Sequence, residues 1–260
     1  MKILTIANPK GGVAKSTLAL HLAYRAAELN KKVIVIDFDM QGSISGSLEQ
    51  NQAIKHEETA AALFMKLDAK PRNSIFKGID ILSASSKQGE ILNNFSCSGV
   101  EELKDFTESF KSKFCSYDLV IIDTAGVLGF KPPLTTAALL VSDFVLIPTT
   151  IGNYETLSLA KSFKYINAIR KNHNQNLNLV GIVPCRVNSV SKIEVQALSN
   201  LKQQLPMVLD FHLTERAAVK QAIALKKPVW VSPKGESGKK AANEWIAVTN
   251  DVLNKIGLFV

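Results

Sequence analysis

The stretch KILTIANPKGGVAKSTLALHLAYRAAEL, residues 2–29, decides the fold, because it joins an apolar run to a glycine-containing turn and a helical pattern. Its turn approximates the phosphate-loop pattern G-x-x-x-x-G-K-[ST]. Lys15 and Ser16 match the end of this pattern, but Pro9 and Ala14 stand where the two glycines are expected. The order strand, glycine-rich turn and helix is the context that a phosphate loop requires. We therefore predict that this turn binds the phosphates of a nucleotide.

The residue types of the turn suit an anion. Glycines let backbone N–H groups approach phosphate oxygens, and the positive end of the following helix points at the same anion. We expect the Lys15 ammonium to reach the β- and γ-phosphates and the Ser16 hydroxyl to bind Mg²⁺. A helical backbone tolerates the methyl group of Ala14, which becomes a problem only if its φ must be positive. The predicted phosphate-binding residues are Gly11, Gly12, Val13, Ala14, Lys15, Ser16 and Thr17.

Short apolar runs alternate with longer amphipathic segments along the chain. The runs predict strands at 2–8, 33–37, 79–84, 119–123, 144–148 and 179–184, and helical patterns lie at about 15–30, 57–67, 99–113, 154–171, 191–204 and 238–256. Most runs are apolar without alternation, as strands covered on both faces are. We therefore predict an α/β fold with a doubly wound, mostly parallel sheet and helices on both faces. Without a linker or repeat, residues 1–260 are expected to form a single domain.

Three aspartates follow predicted strands. VIVIDFDMQGS ends its strand with Asp37 and Asp39, and YDLVIIDTAG ends another with Asp123. Carboxylates at the carboxyl ends of parallel strands face the ligand crevice. We expect Asp123 to hold the hydration shell of Mg²⁺ and Asp39 to orient a water for attack. One such aspartate often only caps a helix, but three beside a phosphate loop favour a metal site made by Ser16, Asp37 and Asp123.

Composition excludes several other classes of protein. The three cysteines, Cys97, Cys115 and Cys185, lie far apart without a C-x-x-C pair, which argues against a disulfide framework or a zinc site and fits a reducing cytoplasm. The first apolar stretch is too short for a signal peptide. The best membrane-span candidate, AALLVSDFVLIP, is also too short and is broken by Ser142 and Asp143. A cytoplasmic location is therefore expected.

Positive charge is concentrated in the last 110 residues. The net charge is +8, and residues 1–150 carry 16 basic and 16 acidic side chains, whereas residues 151–260 carry 15 basic and 7 acidic ones. Such polarity suggests a polyanion partner, with solubility as the alternative. Arg216, Lys220 and Lys227 recur at spacings of four and seven, which predicts one basic helix face. A solvated face is the alternative interpretation.

These motifs together resemble the ParA/MinD family of deviant-Walker ATPases, P-loop NTPases of the SIMIBI class. The resemblance runs from residue 2 to about 255 and is strongest to small ParA proteins that partition plasmids or chromosomes. It rests on KGGVAKST (family K-G-G-x-G-K-[ST]), DFDMQGS (family D-x-D-P-Q-G-[NS]) and IIDTAG. The sequence departs from the family pattern at three places: Ala14 replaces a glycine, Met40 replaces a proline, and DTAG occurs where the family has D-x-P-P. A guanine-reading [NT]-K-x-D is not found, which favours ATP.

The resemblance implies an ATPase of weak intrinsic turnover that uses ATP and Mg²⁺. In such proteins Lys10 would be a signature lysine that crosses the dimer interface to the other subunit's ATP, so the implied catalytic residues are Lys10, Lys15 and Asp39. The ATP-bound homodimer would bind duplex DNA non-specifically on the nucleoid. A cargo-bound adaptor of ParB type would stimulate hydrolysis and release. The candidate DNA-binding residues are Arg186, Arg216, Lys220 and Lys227.

Three alternative functions stay open. A membrane-associated ATPase of MinD type would use the apolar tail ANEWIAVTNDVLNKIGLFV, but Lys255 is its only cation, so no stable membrane association is expected. We expect core contacts there instead, from Trp245, Ile246, Val252, Leu253 and Ile256. An iron–sulfur reductase would need two cysteines in glycine-rich contexts, which Cys97 and Cys115 lack. A non-hydrolysing, nucleotide-switched DNA binder would follow if Ala14 has removed turnover.

Overall fold

The chain folds around a seven-stranded sheet with helices on both faces, as the sequence predicts. The computed structural model describes residues 1–49, 53–64, 68–85, 100–126, 133–152 and 155–259. The strands are β1 (Lys2–Ile6), β2 (Val33–Asp37), β3 (Arg72–Asn73), β4 (Ile79–Leu82), β5 (Leu119–Asp123), β6 (Phe144–Thr149) and β7 (Asn178–Pro184). The helices are α1 (Lys15–Glu28), α2 (Ser43–Leu48), α3 (Val100–Phe114), α4 (Pro133–Val141), α5 (Glu155–Asn172), α6 (Lys192–Gln204), α7 (Ala217–Ala224) and α8 (Gly235–Lys255).

The strand order places the phosphate loop at a crevice of the sheet. The order is β3-β4-β2-β5-β1-β6-β7, and every pair is parallel except β3 with β4. The chain leaves β1 through α1 and enters β2, which β5 separates from β1. Ligands of such sheets bind outside the carboxyl ends of the strands, where the winding reverses. The carboxyl ends of β1, β2 and β5 therefore converge on one site.

Strand residues alternate between two hydrophobic layers. In β1, Leu4 and Ile6 pack with α1 and α8, whereas Ile3 packs with α3 and α4 on the opposite face. The phenylalanines of α3, Phe106 and Phe110, belong to the second layer. Because both faces of the central strands are covered, their sequences are apolar at most positions on both faces.

The predicted helix at 57–67 is wrong in type. Two short 3₁₀ turns, His56–Glu58 and Ala60–Phe64, occupy its described part, and residues 65–67 lie outside the described residues. Between the turns, Thr59 forms a parallel bridge with Ser83, and the neighbouring backbone bonds to Ser83 on both sides. This pairing removes the hydrogen bonds that a continuous helix would need. The two-residue β3 is too short and polar to carry a strand signal.

The carboxyl-terminal helix α8 belongs to the core, as predicted. Trp245, Val252, Leu253 and Ile256 are buried in the layer that also holds α1, whereas Ile246 is partly exposed. Among the described residues, the helices include none with the length and apolar character needed to cross a bilayer.

Candidate nucleotide-binding site

The phosphate loop has a left-handed backbone at two positions. Gly12 has φ 74°, and Ala14, the residue before α1, has φ 70° and ψ 27°. Glycine adopts this conformation freely, but an alanine there costs about 1–2 kcal/mol, because its methyl group approaches the backbone. Ala14 therefore has the positive φ at which, from the sequence, its methyl group is expected to become a problem. The position has the positive φ that a family glycine would supply without strain.

The two lysines of the loop occupy different environments. Lys15 is only 6% exposed, and its Nζ donates a hydrogen bond to the backbone carbonyl of Lys10 at 3.0 Å. Burial lowers the pKa of Lys15, while Asp123 and Asp39 act in the opposite direction. The side chain of Lys10 is exposed. The loop thus keeps one cation inside the site and presents the other at its rim.

The carboxylate of Asp123 is buried close to Lys15 and Ser16. It is completely buried, and neither of its oxygens accepts a hydrogen bond from a described residue. Burial raises the pKa of Asp123, and the neighbouring Asp37 adds to the effect, while the Ser16 hydroxyl and the Lys15 ammonium oppose it. A buried carboxylate is costly unless it is paired or bound to a cation. This donor set therefore fits a hydrated Mg²⁺, which takes oxygen ligands.

Asp37 organises the loop after β2. One carboxylate oxygen accepts hydrogen bonds from the Ser45 hydroxyl at 2.6 Å and the Ser45 backbone N–H at 3.1 Å. The other accepts the Asp39 backbone N–H at 3.0 Å. Burial raises the pKa of Asp37, and these hydrogen bonds partly compensate. Asp37 therefore holds Asp39 at the cavity wall, a role that the predicted metal site did not include.

Gly126 brings the DTAG turn against the phosphate loop. A Cβ atom added there would lie 2.9 Å from the Gly11 nitrogen and 3.0 Å from the Gly11 Cα, too close for any side chain. In contrast, a Cβ at Gly11 would meet nothing within 4 Å. The turn after β5 thus supports the phosphate loop by direct backbone contact, which only glycine permits.

A cavity of about 720 Å³ extends from the phosphate loop to an apolar wall. Small-molecule sites commonly have this size. Its polar end includes Gly11, Gly12, Lys15, Ser16, Thr17 and Asp39. The apolar part of its lining consists of Cys185, Leu213, Val219, Ile223 and Trp245, and the same segments add the polar residues Thr214, Glu215, Arg216 and Lys220. The arrangement suits a ligand with a charged phosphate end and a flat, largely apolar end, as a nucleotide has.

The segment after α6 forms the far wall by pairing with β7. The Leu213 N–H donates to the Pro184 carbonyl at 2.9 Å, and the Glu215 N–H donates to the Val187 carbonyl at 3.0 Å. Arg186, directly after β7, donates to the Gly12 carbonyl at 2.9 Å and to the Glu215 carboxylate at 2.8 Å. The far wall is thereby tied to the phosphate loop.

A second carboxylate anchors the same wall to α8. Glu244 accepts the backbone N–H and the hydroxyl of Thr214, each at 3.0 Å, and the guanidinium of Arg216 at 2.7 Å. The loop that borders the cavity is therefore held from two sides, by Arg186 and by Glu244.

The structure gives the predicted DNA-binding residues unexpected positions. Arg186, Arg216 and Lys220 all line the cavity, and all three are engaged in ion pairs: Arg186 and Lys220 with Glu215, and Arg216 with Glu244. The predicted common helix face is wrong, because α7 ends at Ala224. Lys226 has φ 48°, and the Lys227 N–H closes the helix end by bonding to the Ala222 carbonyl. The assignment of these residues to DNA stays a prediction.

Several residues of the site carried no sequence signal. Glu215 and Glu244 look like ordinary surface acids, and the arginines that they bind, Arg186 and Arg216, lie 29 and 28 residues away along the chain. Gly126 was part of a quoted motif, but its contact with Gly11 joins two separate loops. Trp245 was predicted as a core residue, and it is both buried and part of the cavity wall.

The fold and site together define a P-loop ATPase, and comparison with known proteins gives the family. A family model described as an AAA domain matches residues 1–179, so the chain belongs to that family. Protein IncC of Escherichia coli is 29% identical over 267 residues, covering 98% of this chain and 70% of IncC.

Two solved structures share the fold. A plasmid partition protein from Borrelia burgdorferi bound to AMPPNP has a TM-score of 0.73 and 25% identity, covering 98% of this chain and 97% of that one. A variant of McdA from Cyanothece in complex with ATP has a TM-score of 0.80 at 18% identity, covering 99% and 96%. The predicted resemblance is thereby confirmed: the chain is a ParA-type P-loop ATPase.

Proposed function

We propose that this chain is an ATP-dependent DNA-partition ATPase that uses ATP and Mg²⁺. The observation that carries the proposal is that a left-handed phosphate loop and the buried Lys15 lie beside Asp123, whose buried carboxylate accepts no hydrogen bond from the described residues. A magnesium nucleotide would supply the anion and the cation that these groups lack. The relatives support ATP, since the Borrelia and Cyanothece proteins were solved with AMPPNP and ATP.

Each polar group has a place in hydrolysis. Lys15 and the loop N–H groups would bind and orient the phosphates, and Ser16 and Asp123 would hold the metal with its waters. Bound Mg²⁺ would neutralise charge on the phosphate oxygens. Asp39 lies at the cavity wall, close enough to Lys15 to act on its pKa, and would orient the attacking water. The exposed Lys10 would reach the nucleotide of a second subunit in an ATP-dependent homodimer.

The dimer would bind duplex DNA through phosphate contacts, which places the protein on the nucleoid. The surplus of basic side chains after residue 150 supports this step. The similarity to IncC and to a plasmid partition protein supports a partition system, in which a ParB-type adaptor on the cargo would stimulate hydrolysis.

DNA gel shifts across a salt series, with ATP and with ADP, test the proposal. We expect sequence-independent binding with ATP only, and a log–log salt slope of about −0.9 for each phosphate that the protein neutralises. Lys220→Gln with Lys227→Gln should flatten the slope while ATP affinity, measured on the same variant, stays unchanged; the second measurement is needed because Lys220 lines the cavity and pairs with Glu215. Exposed Lys161→Gln with Lys171→Gln on α5 removes the same charge elsewhere and serves as the control. Equal behaviour of the two double variants rejects the DNA surface.

Arg216 is not replaced in this test, because loss of its ion pair with Glu244 would disturb the cavity wall. Anionic phospholipid vesicles provide a further arm. ATP-dependent binding to vesicles without binding to DNA would overturn the partition function in favour of a MinD-type one.

The left-handed Ala14 favours one second candidate, a nucleotide-switched DNA binder without turnover. The backbone strain at Ala14 lies in the phosphate loop, which must hold the phosphoryl group during its transfer. Release of inorganic phosphate from ATP in the presence of DNA separates the two functions. Binding of ATP and DNA without any phosphate release would select the switch.

A further inference from the structure

Arg186 bridges the phosphate loop and the opposite wall of the cavity. Its guanidinium donates to the Gly12 carbonyl at 2.9 Å through Nη1 and to the Glu215 carboxylate at 2.8 Å through Nη2. Glu215 is itself fixed, since its backbone N–H donates to the Val187 carbonyl. The guanidinium is therefore held at both ends, which limits the positions that the Gly12 carbonyl can take.

This contact bears on the direction of a neighbouring N–H group. In a planar trans peptide the C=O and N–H point in opposite directions. The Val13 N–H therefore points away from Arg186. Gly12 and Ala14 have positive φ while Val13 between them does not, an alternation that turns successive N–H groups toward a common anion. Glycine allows the Gly12 peptide to rotate, and the bond from Arg186 favours one orientation.

We infer that Arg186 is a positioning residue of the phosphate loop, which holds the Gly12–Val13 peptide in its anion-binding orientation and thereby retains Ala14 in the left-handed conformation. The inference rests on the proposed nucleotide site. It gives Arg186 a role within its own chain, distinct from contact with DNA.

Ala14 explains why this chain needs such a contact. A glycine at this position adopts the left-handed backbone freely, whereas an alanine relaxes toward negative φ if its neighbours allow it. The contact at Gly12 lies two residues before Ala14 and opposes that relaxation. The effects of substitutions at Ala14 and Arg186 on nucleotide affinity should therefore be coupled.

Titration of the full chain with fluorescent mant-ADP and Mg²⁺ tests the inference. Arg186→Gln should raise Kd about tenfold, which corresponds to about 1.4 kcal/mol. Arg186→Lys keeps the charge but lacks the planar fork that binds the Gly12 carbonyl and the Glu215 carboxylate together, so its Kd should lie between those of the natural chain and Arg186→Gln. Lys171→Gln, an equal charge change on exposed α5, should leave Kd unchanged. A Kd for Arg186→Gln equal to that of the natural chain overturns the inference.

A double-mutant cycle with Ala14→Gly tests the coupling. When Arg186→Gln is combined with Ala14→Gly, it should raise Kd about threefold or less, because the loop then stays left-handed without the contact. A full tenfold weakening in that combination overturns the link to Ala14. If Arg186→Gln lowers the melting temperature sharply, Glu215→Gln replaces it, since it removes one anchor of Arg186 and should weaken mant-ADP binding in the same direction. Failure of the natural chain to bind mant-ADP would instead reject the proposed function.

Discussion

The Nζ of Lys15 donates a hydrogen bond to the backbone carbonyl of Lys10 at 3.0 Å, so the buried lysine ties together the two ends of the phosphate loop. The contact uses the backbone carbonyl of Lys10, whose side chain is exposed. Replacement of Lys15 and replacement of Lys10 should therefore affect different properties of the protein, ATP affinity in the first case and dimerisation in the second.

Lys15→Ala should weaken ATP binding by more than about a hundredfold, or about 2.7 kcal/mol. The reason is that it removes both the ammonium group that would contact the phosphates and the hydrogen bond to the Lys10 carbonyl. Lys10→Ala keeps the carbonyl and should change ATP affinity by less than about twofold, yet abolish ATP-dependent dimerisation. Calorimetry measures the first effect and light scattering the second. Equal loss of ATP affinity in both variants would contradict a cross-dimer role for Lys10.

Ala14→Gly should stabilise the protein by about 1 kcal/mol, because glycine removes the strain of a positive φ at the start of α1. ATP affinity should change by less than about tenfold. Denaturant unfolding followed by circular dichroism measures the stability. Ala19→Gly, within the same helix, should destabilise instead, and a destabilised Ala14→Gly would show that φ at residue 14 is not strained.

Gly126→Ala should weaken ATP binding by at least about tenfold, which corresponds to about 1.4 kcal/mol, because its Cβ would displace the phosphate loop at Gly11. Gly46→Ala is the matched control, since a Cβ there meets nothing within 4 Å and α2 should accept alanine. Calorimetric titration with ATP compares the two. Retention of affinity in Gly126→Ala would mean that the two loops can separate without cost.

Asp39→Asn should slow ATP hydrolysis by about a hundredfold or more, because an amide cannot orient and polarise the water as a carboxylate does. The amide oxygen can still accept the Gln41 backbone N–H, so the loop should keep its shape. ATP-bound dimers should accumulate. Steady-state phosphate release measures the rate, with exposed Asp210→Asn as control, and turnover equal to that of the natural chain would remove Asp39 from the mechanism.

His21 should make the stability of the protein fall in acid. Burial lowers its pKa from 6.5 to about 4, while its ring is held neutral between the Thr17 carbonyl and the Val229 N–H. Between pH 6.5 and 4 the unfolded chain binds a proton that the folded chain does not, so stability rises with pH in this window. The full effect is about 3 kcal/mol.

Urea unfolding at several pH values, with His21→Gln as comparison, isolates this contribution from that of the buried aspartates. The stability difference between the natural chain and the variant should shrink as pH falls from 6.5 to about 4. His173→Gln, at an exposed position, should show no such trend. A difference that stays constant across this range would mean that folding does not lower the pKa of His21.

Much of the fold could be predicted from local patterns. The six apolar runs form strands, because a strand covered on both faces is largely apolar, as VIVI at 33–36 is before Asp37. The prediction of a helix at 57–67 was wrong because the backbone at Thr59 pairs with Ser83, which is too far away along the chain to show in a local sequence pattern. The prediction of a basic helix face was wrong because α7 ends before Lys227.

The sequence alone determined the class of the site, since the order of strand, glycine-rich turn, Lys15 and Ser16 is set along the chain within a few residues. Only the tertiary structure decided the backbone of Ala14, the closeness of Gly126 to Gly11, and the contact of Arg186 with a carbonyl 174 residues away. The phosphate-binding groups of one loop are neighbours in the sequence, so the sequence shows them directly. Support across the cavity depends on which distant strands lie side by side, and that follows from packing of the whole sheet.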